Sequence, residues 1–212
     1  LKQEDCYKFL SFPSCLVAAG TRGVIKDIVK NKMVDCIITT AGTASLDLIK
    51  TKEAFEHGSF DMDDKELHEK GVYRLGNILI NQDSYGKILE DILLPILNEL
   101  YDSGKKELST YELMWEIGKR IDDEDSILYW AAKNEIPIII PGITDGAVGT
   151  HIFMFMQQHK DFKIDLFLDE KLLSDLMFTK KNTGALILGG GISKHHVIWW
   201  NQFKEGLDYA VY

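Results

Sequence analysis

The sequence is short of three things, and each shortage removes a class of function. Positive charge is the first: 24 Lys and Arg stand against 33 Asp and Glu, a formal net charge of −9. A sequence-independent grip on nucleic acid needs a basic surface that displaces counterions from phosphates, so no nucleic-acid partner is expected. An acidic surface still suits a basic protein partner. Cysteine is the second: Cys6, Cys15 and Cys36 are odd in number and spaced for neither a disulfide framework nor a zinc site. That usage fits a reducing compartment and calls for no metal. Long apolar runs are the third: none approaches the roughly 20 residues of a membrane span. The opening "LKQED" carries no signal-peptide pattern. A cytoplasmic chain that touches no membrane is expected. Internal repeats and low-complexity tracts are missing too.

What is present is enough apolar material for a sizeable core: 212 residues, 45% of them hydrophobic, read as one domain over 1–212. Short runs rich in β-branched or aromatic residues, "VDCIIT" (34–39), "YRLGNILI" (73–80), "IPIII" (136–140), "ALIL" (185–188) and "DYAVY" (208–212), read as buried strands. Between them, segments 15–32, 83–101, 109–121, 126–133, 146–159, 166–177 and 192–203 have helical spacing. In 83–101, Ile88, Ile92, Ile96 and Leu100 recur on one face, and Pro95 is expected to bend the helix. Strand and helix in alternation predict an α/β fold: a doubly wound, mainly parallel sheet with helices on both faces, Rossmann-like.

Ligands of such sheets bind at the carboxyl ends of the strands. Three loops at such ends precede helices and are rich in glycine and small hydroxylated residues: "TAGTAS" (40–45), "PGITDGAVGT" (141–150) and "GGGISKHH" (189–196). Free N–H groups at a helix start attract phosphate. A glycine after a strand also serves as a plain tight turn, and no single loop decides between the two. Neither the dinucleotide fingerprint G-x-G-x-x-G nor a P-loop is met, since Gly189, Gly191 and Lys194 give G-x-G-x-x-K. Asp145 either accepts from ribose hydroxyls or caps the helix beginning at Gly146. His195 and His196 lie one turn into a helix, where one of them faces the ligand end and suits proton transfer. Trp199 and Trp200 suit a core or a subunit interface, as does "FMFM" (153–156). The acidic run "DDED" (122–125) reads as a solvated helix start.

Through "VDCIITTAG", "YRLGNILI", "YWAAKNEIPI", "TDGAVG", "LILGGGISKHH" and "GLDYAVY", in order along nearly the whole chain, the sequence resembles the deoxyhypusine synthase family. The resemblance implies an NAD-dependent enzyme that oxidises spermidine, captures its aminobutyl group on an enzyme lysine, and passes it to a lysine of the hypusine-containing translation factor. It also implies a tetramer with active sites between subunits. By position, Ser14, Thr40, Ala41, Gly42, Asp145, Gly189, Gly190 and Gly191 are carried over to the NAD site, and His195 to the spermidine tunnel.

The departures fall at the chemistry. Cys15 and Ala18 stand where the family has asparagine and serine, Thr43 and Leu46 where it has glycine and glutamate, and Thr150 where it has an aspartate for a spermidine amine. No lysine present matches the imine-forming one, which the family places further along than Tyr212, so the chain is expected to be the central portion of a longer protein. Two expectations follow. One is an active aminobutyl transferase whose nucleophile lies beyond Tyr212. The other, favoured because the replacements cluster at polar contacts, is an impaired pseudoenzyme that scaffolds or regulates, either as a homo-oligomer or with an active paralogue. An NAD-dependent deacylase is the more distant third.

Overall fold

The computed structural model describes residues 5–212; residues 1–4, most of the "LKQED" opening, lie outside the described residues. In chain order the first half contains β1 (Cys6–Phe12), α1 (Arg22–Lys30), β2 (Cys36–Thr39), α2 (Ala41–Ile49), β3 (Glu56–His57), α3 (Asp64–Glu69), β4 (Val72–Leu75), β5 (Ile78–Asn81) and α4 (Leu89–Asp102). The second half contains β6 (Glu107–Leu108), α5 (Thr110–Gly118), α6 (Ile127–Asn134), β7 (Ile138–Ile139), α7 (Ala147–Gln158), β8 (Lys163–Ile164), α8 (Leu166–Thr179), β9 (Asn182–Ile187), α9 (Gly191–Asn201) and β10 (Tyr209–Val211).

A five-stranded sheet in the order β10-β9-β1-β2-β7, parallel at every pairing, carries the fold. Strand periodicity sorts its side chains to two faces. Leu10, Phe12, Ile37 and Ile138 enter the larger core with Ile25 of α1, Leu48 of α2 and Leu128 of α6. Phe9, Cys36, Ile38, Ile139 and Ile187 point the other way, against Leu173 and Met177 of α8 and Val197 of α9. Helices therefore cover both faces, and the α/β, mainly parallel expectation holds. Among the described residues no helix is long and apolar enough to cross a membrane.

Four expectations need correction. "DYAVY" forms β10 not as a buried strand but as an exposed edge of the sheet, with Val211 61% exposed. The central strand β1, "CYKFLSF", is absent from the sequence reading, because a strand buried on both faces shows a compact apolar cluster without alternation; Phe9, Leu10 and Phe12 are all fully buried. "YRLGNILI" is not one buried strand. It is the antiparallel hairpin β4–β5, turned at Gly76 with φ +66 and paired with β3 in a separate small sheet. Gly-Asn at the centre of an apolar run is a hairpin turn, and it outweighs the run. Segment 15–32 is not one helix either: a turn over Val17–Thr21 is broken at Gly20, φ +97, before α1 begins.

The helices from α4 to α9 follow their spacing, whereas α2 and the short α3 lie in no segment read as helical. α5 starts in a full capping box between Ser109 and Glu112, and α6 starts at the Ser126 cap. Pro95 is accommodated inside α4, whose buried stripe is Leu89, Leu93, Ile96, Leu97 and Leu100.

Candidate functional site

Four segments meet at the carboxyl ends of the parallel strands. The Ser14 backbone N–H donates to Thr40 Oγ1 at 3.0 Å, joining the end of β1 to the start of α2. A methyl on Gly42 would stand 2.6 Å from Ser14 Oγ, and one on Gly146 would stand 2.8 Å from Ala41 Cβ. A methyl on Gly189 would meet Pro13 at 3.1 Å, and one on Gly142 would meet Ile192 at 3.4 Å. The loops after β1, β2, β7 and β9 are therefore in mutual contact, and glycine is what lets their backbones approach.

The helices that begin there share a second property. α2, α7 and α9 start at Thr40, Gly146 and Gly190, and none of the three has a side-chain cap. The caps of α3, α5, α6 and α8, from Asp63, Ser109, Ser126 and Asp165, each bond the first turn with a side chain, whereas α1 and α4, which continue from preceding helical turns, also lack a side-chain cap. At α2 and α9 no side chain engages the first-turn N–H groups, and at α7 Val148 N–H alone is taken, by Ser45 Oγ at 3.3 Å; free donors at helix starts are the chemistry that receives a phosphate. This donor set and the close glycine backbones fit a dinucleotide.

The triple glycine is split by task. Gly189 (φ +85) and Gly191 (φ +74) adopt left-handed backbone, whereas Gly190 does not, and a methyl on Gly190 would meet nothing within 4 Å. Gly190 therefore faces open space, and Gly189 is required by the turn itself.

The remaining candidates are placed as follows. Asp145 is exposed, and the first turn of α7 is bonded not by it but by Ser45 Oγ, which accepts from Val148 N–H, so the capping alternative is not realised. His195 is exposed and stacks on Trp199 at 6.0 Å between ring centroids. His196 turns away to α8: its Nε2 lies 2.9 Å from Glu170 Oε1 but off hydrogen-bond alignment, so the contact is Coulombic when the imidazole is protonated. Burial lowers the His196 pKa, against the pull of Glu170. Trp200 Nε1 donates to the same carboxylate at 2.8 Å.

The family departures also have definite places. Ala18 and Leu46 are 2% and 3% exposed and belong to the larger core, so neither presents a polar group to the crevice. Cys15 is exposed. Thr43 Oγ1 lies 2.7 Å from Thr39 Oγ1, and Thr39 donates in turn to Phe12 O. The Thr150 hydroxyl donates back to Gly146 O at 3.2 Å within its own helix. Thr150 lines a cavity of about 570 Å³ between α4 and α7 together with Glu90, His151 and Phe155.

Three buried carboxylates escaped the sequence reading: Asp47, Asp169 and Glu116, the last ion-paired with Lys105, Lys119 and Arg120. Asp47 is fully buried and accepts from Arg22 Nε, Ser126 Oγ and the N–H groups of Ile127 and Leu128. Asp169 accepts from Thr110 N and Tyr111 N at the start of α5, and burial pushes its carboxyl up to about 6. An aspartate in the middle of an apolar helical stretch, as in "ASLDLI", is the one signal that could have found Asp47. "DDED" is not merely solvated: Asp123 receives Arg22 at 3.3 Å, and Glu124 O receives Trp130 Nε1.

Comparison with known proteins gives the family. The chain matches the deoxyhypusine synthase family over residues 1–212. It is 52% identical over 209 residues to a protein of Picrophilus torridus named "Probable deoxyhypusine synthase", covering 99% of this chain and 67% of that one. A protein of the same name from Thermoplasma volcanium is 54% identical over 209 residues, with the same coverage. The crystal structure of an Entamoeba histolytica protein described as "a putative deoxyhypusine synthase" superposes with a TM-score of 0.68 at 28% identity, over all of this chain and 67% of that one. The chain thus spans about two thirds of the length of these relatives. It belongs to the deoxyhypusine synthase family, the family of hypusine biosynthesis.

Proposed function

We propose that the crevice holds NAD and that this chain, taken alone, is an impaired subunit for the family's transfer of the spermidine aminobutyl group to a lysine of the hypusine-containing translation factor. The three helix starts without side-chain caps around Ser14, Thr40 and Gly42 carry the reading. In that role the N–H groups at Thr40–Gly42 and Gly189–Gly191 hold the pyrophosphate. Ser14 and Asp145 offer hydrogen bonds to the sugar hydroxyls, and His195 stands beside the amine. Bound NAD supplies a hydride acceptor for amine oxidation.

Impairment is supported by what the replaced positions do instead. Ala18 and Leu46 pack in the core, and the Thr150 hydroxyl is spent on Gly146 O, so the amine meets no carboxylate there. The active alternative draws support from one observation: Glu90 lines the cavity that Thr150 lines and offers a carboxylate from the facing helix. Association with a second copy, or with an active paralogue, is supported by apolar side chains left in the open, including Trp199 at 48% and Phe153 and Met154 at 59% exposure.

Calorimetric titration with NAD, followed by a spermidine-dependent turnover assay, tests the reading. Binding weaker than micromolar without turnover is expected from the isolated chain. Micromolar or tighter binding with turnover would install the active alternative.

A further inference from the structure

We infer that the Arg22–Asp47 ion pair is a positioning device for the cofactor crevice: it sets the Ser14 segment against the start of α2. The inference rests on the reading that the crevice holds a dinucleotide.

Arg22 Nε donates to Asp47 Oδ1 at 2.6 Å, and one terminal nitrogen donates both to Asp47 O at 3.1 Å and to Asp123 Oδ2 at 3.3 Å. The guanidinium thus grips the side chain and the backbone of α2 at once, a geometry that lysine does not reproduce. Asp47 lies on α2, whose first turn forms one wall of the crevice. Arg22 opens α1, just after the broken turn that begins at Ser14. That turn is closed by Val17 N and Ala18 N donating to Ser14 O and by Thr21 Oγ1 donating to Leu16 O, so a displacement of Arg22 is carried to Ser14.

Two hydrogen-bonded contacts join the segments, beside the burial of Val17 and Ala18 in the core that α2 lines. One is Ser14–Thr40 inside the crevice, and the other is Arg22–Asp47 behind it. A single contact leaves a pivot, whereas two fix distance and angle. The tolerance at the front is small, because Ser14 Oγ leaves no room for a methyl on Gly42. Without Arg22, Asp47 keeps Ser126 Oγ and two amide donors at the start of α6, so its carboxylate remains satisfied and the fold survives.

Three variants of the full chain test this: Arg22→Met, Arg22→Lys and Ser126→Ala. Ser126→Ala weakens the same buried cluster through α6 without touching the Ser14 segment, and so reports a merely structural role. Cys15 is the exposed cysteine, Cys6 and Cys36 being buried, so a nitroxide on Cys15 reads the mobility of the segment without any ligand. Calorimetry with NAD is run on unlabelled protein. Arg22→Met is expected to mobilise the nitroxide and to weaken NAD roughly tenfold, with Arg22→Lys in between. Ser126→Ala is expected to lower Tm while leaving both readouts unchanged. An unmoved nitroxide in Arg22→Met, or equal mobilisation by Ser126→Ala, overturns the inference, as does unchanged affinity in a parent that binds. A parent that binds no NAD removes the cofactor reading alone, since the nitroxide comparison still decides whether Arg22 positions Ser14. If Arg22→Met fails to fold, Arg22→Lys against Ser126→Ala makes the same decision.

Discussion

Ser14 and Gly42 are packed so closely that the hydroxyl of one occupies the place where a side chain on the other would begin, 2.6 Å from an added methyl. Gly42→Ala must push Ser14 aside, and Ser14 is held from behind by its N–H bond to Thr40. NAD affinity in this variant is expected to fall roughly tenfold with little change in Tm, since the displaced atoms line the crevice and not the core. Ser14→Gly in the same background is expected to recover part of the affinity. Calorimetry on the two variants checks both statements.

Neighbouring glycines in the triple should respond oppositely. Gly189→Ala places a side chain on left-handed backbone beside Pro13, which costs about 1–2 kcal/mol and lowers Tm. Gly190→Ala meets no protein atom within 4 Å, so its Tm is expected to stay near the parent's while NAD binding weakens. Thermal unfolding with and without NAD separates the two. Equal losses of Tm would mean that Gly190 serves the fold and not the ligand.

Asp169 should leave a signature in the pH dependence of stability. Burial raises its carboxyl to about 6 from an ordinary 3.8, so between these values the folded state binds the proton more readily than the unfolded one. Its contribution is therefore fully present below about pH 3.8 and is lost as pH rises through about 6. The size is on the order of 3 kcal/mol. His196, lowered by burial, works the other way: its contribution is full above its unfolded value and is lost as pH falls from there through its lower folded one. The difference between Asp169→Asn and the parent isolates Asp169. Urea unfolding from pH 4 to 7 is expected to show the parent losing stability relative to the variant as pH rises.

Restoring family residues one at a time should give unequal results. Leu46→Glu buries a carboxylate in the core and is expected to destabilise by at least about 2 kcal/mol, whatever it offers the ligand. Thr150→Asp is exposed and lies near the start of α7, where a negative charge gains roughly 0.3–1 kcal/mol from the helix dipole. It is expected to keep or raise Tm and to tighten spermidine binding. Denaturant titration and an amine-binding assay check the pair.

Much of this was legible in the chain. Apolar spacing placed α6 through α9 within two residues and α5 within three, because those helices are specified by contacts within a few residues of each other. β1 was not legible, since its partners β2 and β9 lie up to 176 residues away and only their pairing explains a strand there. Asp47 and Arg22 were not legible as a pair for the same reason: nothing local marks a charge as buried or names its counter-ion.

By itself the sequence determined most of the helices and several of the strands, where glycine frees the backbone, and, through ordered motifs, to which family the chain belongs. Tertiary structure alone decided that four loops share one crevice, that three of the helices there start without side-chain caps, that Ala18 and Leu46 point into the core, and that His195 and His196 face different neighbours. Propensity and capping are short-range and can be read along the chain. Burial and the distance between two loops arise only when strands remote in sequence lie side by side in the sheet.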